Sequence, residues 1–235
     1  MLTIIPTPIG NLGDITLRAI RSLREADYIA AEDTRHASIL LRHLEISKPL
    51  VSFHEHNEAA RSAELIGRLK NGFRIALISD AGMPGISDPG SRLIRLCIAE
   101  NLYFTVLPGP SAILTALVGS GFPTEKFYFG GFLPNKSGQR CLELQRAVSR
   151  SETSVYFESP HRLVKSLTAL VEIAPQILTC VARELSKKFE EYHRGSAADT
   201  LNHFLHRAPK GEIVLLIRAP SRDNKSKMSP GESLD

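Results

Sequence analysis

The residues of this sequence with chemical potential gather in short loops, each directly after a short apolar run. The richest is SDAGMPGISDPG at 79–90. There Asp80 follows an apolar run, Gly82 and Gly85 permit close backbone approach, and Pro84 and Pro89 restrict the loop's shape. Such a loop presents backbone polar groups and one carboxylate to a ligand, or it is a tight turn in which Asp88 or Ser91 caps the next helix. It fits neither G-x-G-x-x-G nor G-x-x-x-x-G-K-[ST], which disfavours the usual dinucleotide and nucleotide-phosphate loops. PTPIGNLGD at 6–14 has the same character, with Asp14 or Thr16 placed to cap the following helix. In LPGPSAIL at 107–114, Ser111 is a natural N-cap whose hydroxyl could equally face a ligand. In ESPHRL at 158–163, Glu158 ends an apolar run, Ser159 caps, Pro160 takes the first helical position and Arg162 lies in the first turn.

His54 and His56 in FHEHN at 53–57 have the i, i+2 spacing that puts two side chains on one side of a strand, and His36 invites a metal reading with them. No H-E-x-x-H occurs and no thiolate is close, so no metal is expected, and contact with substrate or RNA at a cleft rim is preferred. Basic residues recur as Lys136, Arg140, Arg146 and Arg150, then Arg183, Lys187 and Lys188. NKSGQR at 135–140 is small, polar and cationic enough to clamp phosphates, while a helix bearing Arg140 and Arg146 is otherwise a solvated face.

These loops need a scaffold. Apolar runs at 2–6, 28–31, 50–53, 74–78 and 103–107 alternate with helix-period stretches such as Leu17, Ile20, Leu23 and Ala26, the pattern of a parallel α/β sheet. In open sheets of this kind ligands lie beyond the carboxyl ends of the strands, where the loops above fall. After Gly121 the texture changes. Strands are expected at 127–132, 154–157, 177–184, 190–194 and 212–218, with helices near 138–150 and 161–173, and several short links point to a mixed or antiparallel sheet. The expected organisation is a parallel-rich α/β domain over 1–110, a mixed-sheet α/β domain over 111–220 and a disordered polar tail over 221–235.

Composition bounds the class. Of 235 residues 43% are hydrophobic and 23% charged, as in globular proteins, which excludes a largely disordered, collagen-like or coiled-coil chain. Cys97, Cys141 and Cys180 stand singly, against a disulfide scaffold or thiolate zinc site and in keeping with a reducing cytoplasm. The first residues lack a basic segment ahead of an apolar one, so no secretory signal is expected. The uncharged stretch 101–124 is cut by three prolines and three glycines into pieces too short to span a bilayer, so a soluble protein is expected. A net charge of +4 and a pI near 9.0 favour a polyanionic partner without identifying it.

Taken together, TPIGNLGDIT at 7–16, AAEDTRHASILL at 30–41, SFHEHNE at 52–58, ISDAGMPGISDPG at 78–90, LPGPSAI at 107–113, FGGFLP at 129–134, FESPHRL at 157–163 and ARELSKKFEE at 182–191 resemble the tetrapyrrole methylase family over about residues 1–219. Within it they resemble the branch that methylates a ribose 2'-hydroxyl of a cytidine in small-subunit (16S) ribosomal RNA. The resemblance implies a two-domain α/β (class III) methyltransferase, usually a homodimer, holding S-adenosylmethionine in a cleft between the domains. It implies cofactor contacts from Pro8, Asp80, Ala81, Gly82, Met83, Ser111, Ala112, Phe157, Leu185, Lys210 and Gly211. EDTRH, FHEHN and ESPHR would face the nucleotide, with Asn11, Arg35, His36, Glu55, His56, Lys136, Arg140 and Arg162 toward the 16S RNA or the small ribosomal subunit. Members of the branch often continue past the last strand into a small helical extension, and the short polar tail of this chain departs from that pattern.

Methyl transfer from a sulfonium is an in-line displacement that needs positioning above all, and no metal. A base would help the ribose hydroxyl, and Glu158, His161 and His54, with Glu55, are the candidates. Carbon methylation of a tetrapyrrole-like small molecule would share the fold and cofactor but require an apolar trough in place of the cationic rim of Arg35, Arg162, Lys136 and Arg140. A non-enzymatic RNA adaptor would not need intact cofactor loops.

Overall fold

The computed structural model describes residues 1–218, so the tail expected to be disordered lies outside the described residues. The chain divides into two compact units, one of Met1–Thr115 with Leu185–Lys188, the other of Ala116–Glu184 with Phe189 onward.

In the first unit β1 (Leu2–Ile4), α1 (Leu17–Glu25), β2 (Tyr28–Ala31), α2 (Thr34–His43), β3 (Leu50–Ser52), α3 (Glu58–Lys70), β4 (Ile75–Ile78), α4 (Ser91–Ala99) and β5 (Phe104–Val106) follow one another. The strands form one all-parallel sheet in the order β3-β2-β4-β1-β5. β1 and β4 are buried throughout, which is why their sequences are continuous apolar runs. One face packs Leu2, Ile4, Leu65 and Leu93; the other packs Ile5, Leu23, Ile29 and Leu41. Register matters more for function. Ile4 lies opposite Leu77 and Val106, and Ala31 opposite Ile78, so the carboxyl ends of four strands finish level. The strands are shorter than the apolar runs: Ile5 and Leu107 lie one residue past β1 and β5, stay buried, and still donate to Leu77 O and Ile4 O at 2.9 Å.

Helix caps resolve two alternatives. Thr16, not Asp14, caps α1 by accepting from the Ala19 amide at 3.1 Å. Neither Asp88 nor Ser91 caps α4. Gly90 occupies that position, and the Glu58 carboxylate of α3 accepts from the amides of Gly90 at 2.9 Å and Arg92 at 3.3 Å, a distant cap that no local spacing reveals.

α5 (Ala112–Ser120) is followed by β6 (Phe127–Phe132), α6 (Ser137–Ser149), β7 (Thr153–Glu158), α7 (Pro160–Ile173), β8 (Leu178–Arg183), β9 (Glu191–Ser196), α8 (Ala197–His206) and β10 (Ile213–Arg218). The second sheet has the order β6-β7-β10-β8-β9; β6 and β7 are parallel and the other pairs antiparallel, the mixed sheet expected. Leu144 of α6 and Leu163 and Leu167 of α7 pack on Tyr156, Leu215 and Ile217. α8 went unread in the sequence, although Ser196 and Asp199 form a reciprocal capping box at its start.

The fully buried Tyr156 donates to Glu143 Oε1 at 2.8 Å and accepts from Arg150 Nη1 at 2.8 Å, while the Arg150 guanidinium lies 3.6 Å over the Tyr128 ring. Arg150 is thus a packing residue. Tyr156→Phe should lower stability by about 1–2 kcal/mol through the two lost hydrogen bonds, read as a urea midpoint shift with unchanged slope. Among the described residues no helix is long and apolar enough to cross a membrane.

Candidate functional site

The loop after β1 and the loop after β4 are bonded into one surface. Thr7 and Gly82 exchange two backbone hydrogen bonds of 2.9 and 3.0 Å, Thr7 Oγ1 donates to Ser79 O at 3.0 Å, and Ser79 Oγ donates to Gly82 O at 3.2 Å. Gly82 has φ +77°, and a Cβ there would stand 3.6 Å from Ile9 Cγ2 and 3.9 Å from Pro110 O, so three loops meet at this glycine. Pro8 is buried, while Asp80, Ala81 and Met83 are half-buried around it. From the loop after β5, Ser111 Oγ accepts a long 3.5 Å bond from the Leu114 amide, the cap expected of it, with Ala112 half-buried beside it. At Gly10 a Cβ would lie 2.9 Å from Leu185 O, which places buried Leu185 in this unit against the first loop; Ser186 donates to Asp14. Asn11 Oδ1 accepts from the Gly13 amide at 3.0 Å and shapes the same loop.

The ends of β2 and β3 complete this edge. Asp33 caps α2 and is gripped by Arg35, whose guanidinium donates to both its oxygens and holds its carboxyl well below the usual range. Arg35 remains 89% exposed, and His36 is exposed beside it. The Asp33 amide donates to Asp80 Oδ1 at 3.1 Å, tying EDTRH to the 79–90 loop. Next to this link Glu32 is half-buried, and burial followed by the charges of Asp88, Asp80, Asp33 and Glu55 pushes its carboxyl up to about 7. Asp88 is pushed up to about 6, by burial first, against the pull of the Ser79 hydroxyl. Neither was singled out for proton chemistry in the sequence. Glu32 follows β2 as Asp80 closely follows β4, so the strand-end rule pointed to it.

FHEHN is not an extended segment. β3 ends at Ser52 and residues 54–57 turn into α3, so strand alternation does not place His54 and His56; their rings meet edge-on at 5.9 Å. Asn57 binds back, accepting from the His54 amide at 2.9 Å and donating to His54 Nε2 at 3.1 Å, while His54 Nδ1 is buried without a partner. Glu55 and His56 are exposed. Among the described residues no three His, Cys, Asp or Glu side chains are placed to hold a metal ion.

In the second unit Glu158 is anchored rather than available. Its side chain has no exposed surface. It pairs with Arg162 at 2.8 Å and accepts from Ser166 Oγ at 2.5 Å and the Ser159 amide at 2.7 Å. The expectation that it serves as a base is corrected by this geometry: every oxygen is engaged in holding β7 to α7. Arg162 also donates to Leu133 O at 3.2 Å and to Asn135 Oδ1, and Arg140, 8% exposed, donates to Pro134 O and Asn135 O at 3.4 and 3.2 Å. Both guanidiniums clamp the β6–α6 loop from within, which corrects their expected role as phosphate ligands. Lys136 is exposed at the start of α6, and His161 is exposed in the first turn of α7, its amide donating to Ser159 Oγ at 3.3 Å. Phe157 packs edge-on against Phe129 at 5.1 Å. Lys210 O accepts from Arg183 at 3.2 Å, and Gly211, at φ +81°, lies where a side chain would strike Glu184.

A profile of the tetrapyrrole (corrin/porphyrin) methylases matches residues 1–200. The chain belongs to that family. Among its relatives, this tetrapyrrole methylase is 44% identical to the ribosomal RNA small subunit methyltransferase I of Thermotoga maritima, over 92% of this chain and 97% of that one. It is 46% identical to the protein of the same name from a Hydrogenobaculum species, over 92% and 94%. In solved structures the fold is shared with diphthine synthase, at a TM-score of 0.74 and 14% identity over 93% of this chain and 89% of that one. The methyltransferase CobJ follows at 0.69 and 19%, over 93% of each chain.

Proposed function

We propose that this tetrapyrrole methylase transfers a methyl group from S-adenosylmethionine to a ribose 2'-hydroxyl of a cytidine in small-subunit (16S) ribosomal RNA. The observation that carries it is the Asp33–Asp80 hydrogen bond. It joins the loop with the family's cofactor residues to EDTRH, the motif matching the RNA-modifying branch. The near full-length identity to proteins named for that activity supports the same reading.

The residues present fit the cofactor. Carbonyls and carboxylates of the 79–90 loop suit its cationic amino and sulfonium groups, and the rigid Thr7–Gly82 link keeps them in place without the ligand. When bound, S-adenosylmethionine supplies an already activated methyl group. The chain's share is then to orient the hydroxyl, exclude water and take a proton. Within the first unit Pro8, Asp80, Ala81, Gly82, Met83, Ser111, Ala112 and Leu185 are the assigned cofactor contacts. Asn11, Arg35, His36, Glu55 and His56 face the RNA from the same unit, as does exposed Lys136 from the second. We place the enzyme in the cytoplasm, as a homodimer, which light scattering on purified protein reads directly.

Mass spectrometry of 16S RNA from cells lacking the protein should show one ribose methyl lost and restored by the wild-type gene; an unchanged methylation pattern would refute the assignment. Lys136→Ala should weaken RNA binding and lower the slope of log affinity against log salt by about one, with cofactor affinity unchanged. Arg140→Ala should instead lower the melting temperature, because its guanidinium is buried in the loop.

A further inference from the structure

We propose that Glu32 is the general base that takes the proton from the ribose 2'-hydroxyl. This rests on the reading of the first unit as a ribose-methylating site. Ala31 pairs with Ile78, so Glu32 leaves β2 level with Ser79, at the root of the 79–90 loop, and the next amide is bonded to Asp80. Its carboxylate has no hydrogen-bond donor and no cation among the described residues, and the charged groups acting on it are the carboxylates of Asp88, Asp80, Asp33 and Glu55. Two of these acids are engaged, Asp33 by Arg35 and Asp80 by the Asp33 amide. A half-buried carboxylate with no donor is unfavourable as a structural element and well suited to accept a proton.

Two of the other expected bases are committed elsewhere. Glu158 is enclosed by Arg162, Ser166 and a backbone amide, and His54 Nε2 already accepts from Asn57, which leaves the ring proton of the neutral side chain on Nδ1. The charged groups that act on Glu32 are Asp33 beside it, Glu55 ahead of α3, and Asp80 and Asp88 beyond β4. Its half-ionisation near neutral pH matches the task, since a base is most effective when its pKa lies close to the working pH.

In the step itself the hydroxyl oxygen bonds the methyl carbon while its proton passes to Glu32. The carbon–sulfur pair stays on the departing sulfur, so the positive charge lost there reappears as the proton that neutralises the carboxylate.

Single-turnover methyl transfer to small-subunit RNA, followed against pH, tests this. The wild-type rate should rise tenfold per pH unit and level off near pH 7. Glu32→Gln should be about 100- to 10,000-fold slower and lose that limb, and Glu32→Asp should keep a slower reaction with the limb displaced. Thermal melting gives a readout independent of activity. A carboxyl raised from 4.5 to about 7 in the folded state favours folding below pH 4.5, and this contribution is lost as pH rises through 7. Glu32→Gln should therefore gain melting temperature relative to wild type at pH 8 compared with pH 5. A Gln variant that reacts within threefold of wild type, or is slow but keeps the limb, overturns the assignment and leaves the function standing. A wild-type enzyme that binds S-adenosylmethionine but methylates no small-subunit RNA overturns both.

Discussion

Glu158→Ala should destabilise the second unit by about 3–5 kcal/mol, because it strips a buried ion pair of one member and leaves Arg162 and Ser166 without their acceptor. Arg162 would also hold Leu133 and Asn135 less firmly, so the β6–α6 loop should loosen with it. Glu158→Gln keeps an acceptor for the Ser159 amide and should lose less, about 1–3 kcal/mol. Urea denaturation followed by circular dichroism measures both, and the methyl-transfer rate of the folded Gln variant should stay within a fewfold of wild type. A Gln variant of normal stability with its rate abolished would return Glu158 to the chemistry.

Asp80→Ala should weaken S-adenosylmethionine binding roughly 10- to 100-fold, the loss expected for one charge-assisted hydrogen bond in a half-buried loop. The fold should survive at a cost of about 1 kcal/mol, since only the Asp33 amide is left unpaired. A second effect follows from charge. Asp80 is among the groups that raise Glu32 and Asp88, so its removal should bring both carboxyls down toward their ordinary range. The acid limb of the rate profile should then move to lower pH. Isothermal titration with the cofactor at pH 7 reads the affinity, and an unchanged dissociation constant would remove Asp80 from the cofactor site.

By itself the sequence determined the chemistry-bearing loops and the scaffold behind them. Continuous apolar runs ending in Pro, Gly, Ser or Asp and alternating with helix-period stretches point to a parallel sheet covered by helices; the central strands β1, β2 and β4 are buried in that way, while β3 and β5 form its partly exposed edges. The shorter links after Gly121 likewise announced the mixed sheet of β6 to β10. Local caps were legible where side chain and amide lie two or three residues apart, as at Ser159 and Thr16. Tertiary structure alone decided which polar side chains face ligand and which face protein. Arg140 and Arg162 have the spacing of surface cations, but the loop at Leu133–Asn135 turns its carbonyls toward them, and an unpaired buried carbonyl is costly. Glu158 and Glu32 read alike, each a carboxylate after an apolar strand. Arg162 and Ser166, one and two turns along from it, enclose the first, whereas four acids brought together from the ends of β2, β3 and β4 crowd the second. Charge proximity between residues tens of positions apart depends on strand order and register, and that is what separates a structural carboxylate from one poised to take a proton.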